Sequence, residues 1–130
     1  MEEIMWKCAD DILCGVNLPK DPANLSDLEK KHIPVIEAPE TVRKDELFAV
    51  TVEVGKYLVH PNEVAHFIEW VELYCGETFL ARASFSGGSS YPKVVFQVKL
   101  SHSHGVLKAR EKCNLHGLWE GTRELKVVAG

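Results

Sequence analysis

The 130-residue chain has no CxxC pair, no block of lysine or arginine, and no apolar run longer than a few residues. Each absence closes a class of function. Without CxxC, the sequence lacks the usual nucleus of a zinc ribbon or a dithiol oxidoreductase. Without a basic cluster, and with a net charge of −4, it lacks the electrostatic footprint of a nucleic-acid binder or of a protein held on an anionic membrane. Without about 20 consecutive apolar residues, no helix can span a bilayer. The opening stretch, MEEIMWKCADDIL, is acidic and does not show the basic-then-apolar order of a signal peptide, so the expected location is cytoplasmic. Methionine is scarce, with two copies at positions 1 and 5.

What is present supports one folded domain. Hydrophobic residues make up 45% of the chain, enough for a core, and charged residues at 26% are too few for a disordered tail. The four cysteines are Cys8, Cys14, Cys75 and Cys113. A cytoplasmic chain of this size needs no disulfide framework, so Cys8 and Cys14 are expected to be buried or incidental. Six histidines are more than this length usually carries, and they keep a metal in play.

Residues 1–28 show no period-two pattern. Ile4, Cys8 and Ile12 recur at helical spacing, and the Gly-, Pro- and Asn-rich stretch after them reads as a loop. This part is expected to be an N-terminal extension, with a domain from 29 to 130. From residue 33 the pattern turns strand-like. IPVIEA is short and apolar. LFAVTVEVG alternates, placing Phe48, Val50, Val52 and Val54 on one face. HFIEWVELYC alternates as well, with Phe67, Val71 and Leu73 opposite Ile68 and Trp70. TFLARASF, KVVFQVKL, VLKAREK and RELKVVAG follow, separated by turn signals about every ten residues. About seven short strands predict an all-β, antiparallel β-sandwich with a loop or short helix at its N-terminus.

Three stretches carry side chains suited to chemistry. In HPNEVAH, a straight strand would hold His60 and His66 about 20 Å apart. Pro61 suits a turn and cannot donate to a ladder, and one tight turn would bring the two imidazoles together; two exposed loop histidines fit the spacing equally well. In CNLHG, Cys113 and His116 are three apart. They lie on opposite sides of a strand but close together in a turn, which Gly117 favours through its access to positive φ. A small buried thiol beside a surface histidine is the plain alternative. In LEKKHIPVI, His32 sits between lysines and an apolar run. Taken together, four imidazoles and one thiol at strand edges exceed tetrahedral zinc by one donor. A six-coordinate metal such as iron would keep one position free.

The ordered set KHIPVI, HPNEVAHFIEW and CNLHGLW resembles the superoxide reductase family, which includes the neelaredoxins and the catalytic domain of desulfoferrodoxin. The likeness runs from residue 29 to about 128. It implies an immunoglobulin-like sandwich holding one mononuclear iron (Fe), with His32, His60, His66 and His116 matching four equatorial imidazoles and Cys113 the axial thiolate. Lys31 matches the family's lysine beside the open position. The implied activity is one-electron reduction of superoxide to hydrogen peroxide, with re-reduction by a rubredoxin-like donor. Backbone N–H groups of Leu115 and His116 are placed to tune the Cys113 sulfur, and Trp119 either shields the site or is plain core.

The sequence departs from this family in three places. Relatives have Glu-Lys-His, with a glutamate that closes the sixth position of ferric iron. Here Lys30 stands where that carboxylate belongs, and Glu29 is a residue further off. Glu29 is therefore either a sixth ligand after a loop rearrangement or no ligand at all, and the second reading is preferred. Cys8 and Cys14 cannot make the four-cysteine centre of desulfoferrodoxin, which implies a one-iron protein. The short FSGGSSYP loop points to a homodimer rather than a homotetramer. His102 and His104 match no ligand position. The competing readings are a copper electron-transfer protein, for which the axial methionine is missing, and a non-catalytic binding module.

Overall fold

The computed structural model describes residues 1–4, 7–8 and 11–130. Its strands are β1 (Val16–Asn17), β2 (Val35–Glu37), β3 (Thr41–Arg43), β4 (Phe48–Glu53), β5 (Ile68–Cys75), β6 (Thr78–Ser84), β7 (Lys93–Val98), β8 (Leu107–Cys113), β9 (Gly117–Arg123) and β10 (Lys126–Val128). The helix α1 covers Asp27–His32. A five-stranded sheet in the order β1-β9-β8-β5-β6 and a three-stranded sheet in the order β2-β4-β7 form the layers, and β10 pairs with β3. No helix among the described residues is long and apolar enough to cross a membrane.

The expected alternation explains why the layers hold together. Val50, Val52 and Val54 are fully buried and pack in one cluster with Val71, Leu73 and Cys75 of β5 and with Leu107, Ala109 and Cys113 of β8. β-Branched residues at period two fit this pleated, one-sided surface. Cys113 thus ends β8 at the edge of the core, which is how a hydrophobic layer delivers a thiol to a loop.

The structure corrects the sequence reading in several places. Ile68 was expected opposite Val71, yet both are buried. A bulge explains it: on β5 the register steps from Ile68 to Trp70 while β8 steps only from Cys113 to Lys112. The extra residue returns Ile68 to the core side. Among the described residues ten strands replace about seven, because β1, β3 and β9 carry no clear pattern. The sheets are not wholly antiparallel, since β1 runs parallel to β9 and β10 parallel to β3. The helical spacing expected over Ile4, Cys8 and Ile12 falls partly on residues 5, 6, 9 and 10, which lie outside the described residues. Residues 12–15 form turns and bends instead, and α1 runs across the expected division at residues 28 and 29.

β9 fixes where α1 can lie. A Cβ at Gly121 would meet the Pro34 carbonyl oxygen at 2.1 Å. The connection leaving α1 therefore lies directly against the β9 backbone, an approach only glycine permits.

Candidate metal centre

Each candidate donor is delivered by a different local device. α1 opens on Ser26, whose hydroxyl accepts from the Glu29 N–H at 3.2 Å while the Glu29 carboxylate accepts from the Ser26 N–H at 2.8 Å. This reciprocal capping box starts the helix. His32 ends it, 1% exposed. His60 follows the tight turn at Gly55 (φ +86°), where a Cβ would come within 2.8 Å of the His60 nitrogen. In the HPNEVAH stretch, Glu63 and His66 exchange both backbone hydrogen bonds at 2.9 and 3.1 Å, so the segment folds back. Cys113 ends β8, and His116 is the last residue of the three-residue connection to β9, which opens on Gly117 at φ +80°.

Asn114, inside that connection, was missed in the sequence. Its Oδ1 accepts from the Phe67 N–H at 2.9 Å and its Nδ2 donates to the Ala65 carbonyl at 2.9 Å. One side chain thus ties the two donor loops together. An asparagine inside Cys-x-x-His was the available signal, since its amide can satisfy two backbone groups at once.

The side-chain donors of His32, His60, His66, Cys113 and His116 all lie within 4.8 Å of one another. The imidazoles form a closed ring in the order 32, 60, 66, 116. Successive centroids are 4.7, 4.7, 4.9 and 4.9 Å apart, and neighbouring planes cross at 71° to 90°. That is a square of four edge-on rings. The Cys113 sulfur stands 3.4 Å from His60 Nε2 and 3.7 Å from His116 Nδ1.

The outward ring nitrogens decide what faces inward. His32 Nδ1 lies 2.7 Å from the Leu28 carbonyl and His60 Nδ1 lies 2.6 Å from the Pro61 carbonyl. A carbonyl only accepts, so both nitrogens carry the proton and both Nε2 atoms turn a lone pair to the centre. His66 Nε2 is buried without a partner. His32 Nε2 sits 3.1 Å from His116 Nδ1. Converging lone pairs at these separations suit a cation between them. Bonds of about 2.1 Å to nitrogen put opposite imidazole donors roughly 4.2 Å apart, within the observed spread.

Protonation agrees. Burial is the main cause that lowers His32 and His60 to about 4 and also lowers His66, so all three are neutral donors near pH 7. Burial pushes the Cys113 thiol up, while the N–H groups of Leu115 and His116 pull it down. Glu111, two residues before it on β8, is fully buried, with no full hydrogen bond to either oxygen, and burial raises it well above the usual carboxylate range.

The remaining candidates divide. Lys31 is half-exposed on the last turn of α1, and its charge contributes to holding His60 and His66 down. Trp119 is both wall and core. It is 3% exposed, stacks on His32 at 4.9 Å, and donates from Nε1 to the His116 carbonyl at 2.9 Å. Glu29 stands outside the cluster. Its second oxygen accepts from the Lys20 N–H at 2.9 Å, so the whole carboxylate is engaged by backbone. His102 and His104 sit on an exposed loop and take no part. Cys75 is core, as expected. Cys8 and Cys14 are not incidental thiols, because they form a disulfide.

A β-sandwich carrying four imidazoles and one thiol around a single point is a non-haem metal-site architecture. The desulfoferrodoxin family model matches residues 24–122, and the chain belongs to that family. It is similar to the superoxide reductase of Pyrococcus horikoshii, with 41% identity over 106 residues, covering 75% of this chain and 89% of that one. It is similar to the neelaredoxin of Megalodesulfovibrio gigas, with 35% identity over 116 residues, covering 75% and 88%. The solved structure of the superoxide reductase (neelaredoxin) from Ignicoccus hospitalis superposes with a TM-score of 0.75 at 42% identity, covering 87% of this chain and 95% of that one.

Proposed function

We propose that this chain is a superoxide reductase, converting superoxide, one electron and two protons into hydrogen peroxide. The supporting observation is the square of imidazoles with a thiol against two of its members. His32, His60, His66, His116 and Cys113 would together hold the iron. When bound, ferrous iron supplies the single electron, and a thiolate ligand strengthens its donation. The chain's own residues do the rest. Lys31, half-exposed on α1, attracts the superoxide anion toward the partly exposed His66 side of the square. The N–H groups of Leu115 and His116 share the negative charge of the Cys113 sulfur. Trp119 and the core beneath β8 keep water from the rear of the site. Glu29 stays in its capping box and does not approach the anion's position. Re-reduction falls to a rubredoxin-like donor, in the cytoplasm, with the protein a homodimer.

The copper electron carrier is less well supported. Met1 lies exposed at the terminus, and Met5 falls outside the described residues.

Pulse radiolysis of the reduced, iron-loaded protein tests the reading. Superoxide should disappear in a second-order reaction, with one iron per chain and a thiolate charge-transfer band after oxidation. Lys31→Ala should slow that reaction about tenfold and flatten its dependence on ionic strength, as expected for removing one steering charge. An unchanged rate in the variant would take Lys31 out of the reaction, and a wild type that consumes no superoxide would end the proposal.

A further inference from the structure

The site leaves one chemical feature unused, the Cys8–Cys14 disulfide. Its surroundings tie it to the rear of the metal centre. A Cβ at Gly117, the residue after His116, would fall 2.6 Å from the Ile12 carbonyl oxygen and 3.2 Å from the Leu13 Cα. Ile12 and Leu13, just before Cys14, therefore lie directly on the donor connection. Asn17 fastens it there: its Nδ2 donates to the Ile12 carbonyl at 2.7 Å and to the Leu118 carbonyl at 2.8 Å. β1 then runs parallel to β9, pairing Val16 with Leu118 and Asn17 with Trp119. A cavity of about 490 Å³, lined by both cysteines, Leu28 and Trp119, separates the bridge from the indole that stacks on His32.

Two properties make this bridge exchangeable. Cys8 is exposed and Cys14 half-buried, so an incoming thiolate can reach the sulfur. The bridge spans only six positions, so it constrains the unfolded chain less than a long-range staple would. An accessible, short-range disulfide fits a reversible role better than a purely stabilising one.

We propose that Cys8 and Cys14 form a second redox site, a thiol–disulfide couple that exchanges with an external dithiol and latches the N-terminal loop onto the Gly117–Trp119 stretch. An incoming thiolate attacks the Cys8 sulfur, forming a mixed disulfide and releasing the Cys14 thiolate, which takes up a proton. The second thiol of the reductant then displaces Cys8. The reductant leaves as a disulfide, two electrons and two protons remain on Cys8 and Cys14, and the loop is free to lift from Gly117. No step involves the metal, so the proposal stands apart from the reading of the site's activity.

The test uses the metal-loaded protein, oxidised or treated with dithiothreitol, then pulsed with N-ethylmaleimide without denaturant. Two labels should enter, at Cys8 and Cys14, only after reduction, because Cys75 and Cys113 are buried. Hydrogen exchange followed by mass spectrometry should show the Gly117–Trp119 amides exchanging about tenfold faster after reduction. Cys8→Ser should exchange at the reduced rate under both conditions. Metal content, measured on the same samples, reports separately on the site. Labels entering the untreated, oxidised protein would overturn the couple, and equal exchange in the oxidised and reduced forms would overturn the latch.

Discussion

At Glu29 a single carboxylate accepts from the Ser26 and Lys20 N–H groups, and these bonds hold it below the usual carboxylate range. Glu29→Ala should therefore cost about 1–2 kcal/mol in urea unfolding, by loss of the cap. It should leave the second-order rate with superoxide unchanged, and a large fall in rate would place this carboxylate at the reacting anion. Glu111 makes the opposite case. Its carboxyl is raised by burial, so the native state keeps a proton that the unfolded chain releases above about pH 4.5. The penalty is absent below that pH and grows as pH rises toward the native value. Across pH 5 to 8, the difference in urea midpoint between Glu111→Gln and wild type should move steadily in favour of the variant. A difference that stays flat would mean the buried group is not protonated.

Among the elements, β9 has the tightest steric requirement. A methyl at Gly121 would overlap the Pro34 carbonyl, which is backbone and cannot rotate away. Gly121→Ala should destabilise the protein by roughly 2–4 kcal/mol and weaken metal retention by shifting α1 and His32. Gly130→Ala is the control, because its Cβ would meet the Lys44 carbonyl at an ordinary 3.6 Å. Thermal unfolding and metal content of the two variants check this. β9 also marks where sequence reading failed. GLWEGTR has two glycines and no clean alternation, so the pattern marks no strand there, although its glycines are there because neighbouring backbone comes close. β4 was legible because Val50, Val52 and Val54 alternate without interruption. The start of β5 misled because a bulge reverses its faces, and a bulge is a property of the pair of strands. The three stretches that bring the five candidate donors together were legible as histidine- and cysteine-bearing turns, and the family resemblance, not local pattern, singled out the set. That Asn114 joins two donor loops depends on tertiary placement, which no local pattern carries.

For the molecule as a whole, three depressed imidazoles set the acid side of its stability. Lowered pKa values mean the unfolded chain binds protons first, so stability is complete above about 6.5 and falls as pH drops toward 4. In the metal-free protein, His32 and His60 should each cost up to roughly 2 kcal/mol at pH 5 relative to pH 7.5, read as a drop in urea midpoint. Iron should suppress that drop, because bound nitrogens cannot take up protons until the metal leaves. Equal drops with and without iron would separate the histidines from the metal.

His32 and His116 meet across 84 positions of sequence. Their meeting requires α1 to be capped, the Pro34 connection seated on Gly121 and the hairpin after Cys113 closed. A nascent or half-collapsed chain can offer two or three of these side chains at most. Tight metal capture therefore marks the last stage of maturation, and the lag between refolding and colour would time how long the polypeptide takes to become a complete sandwich.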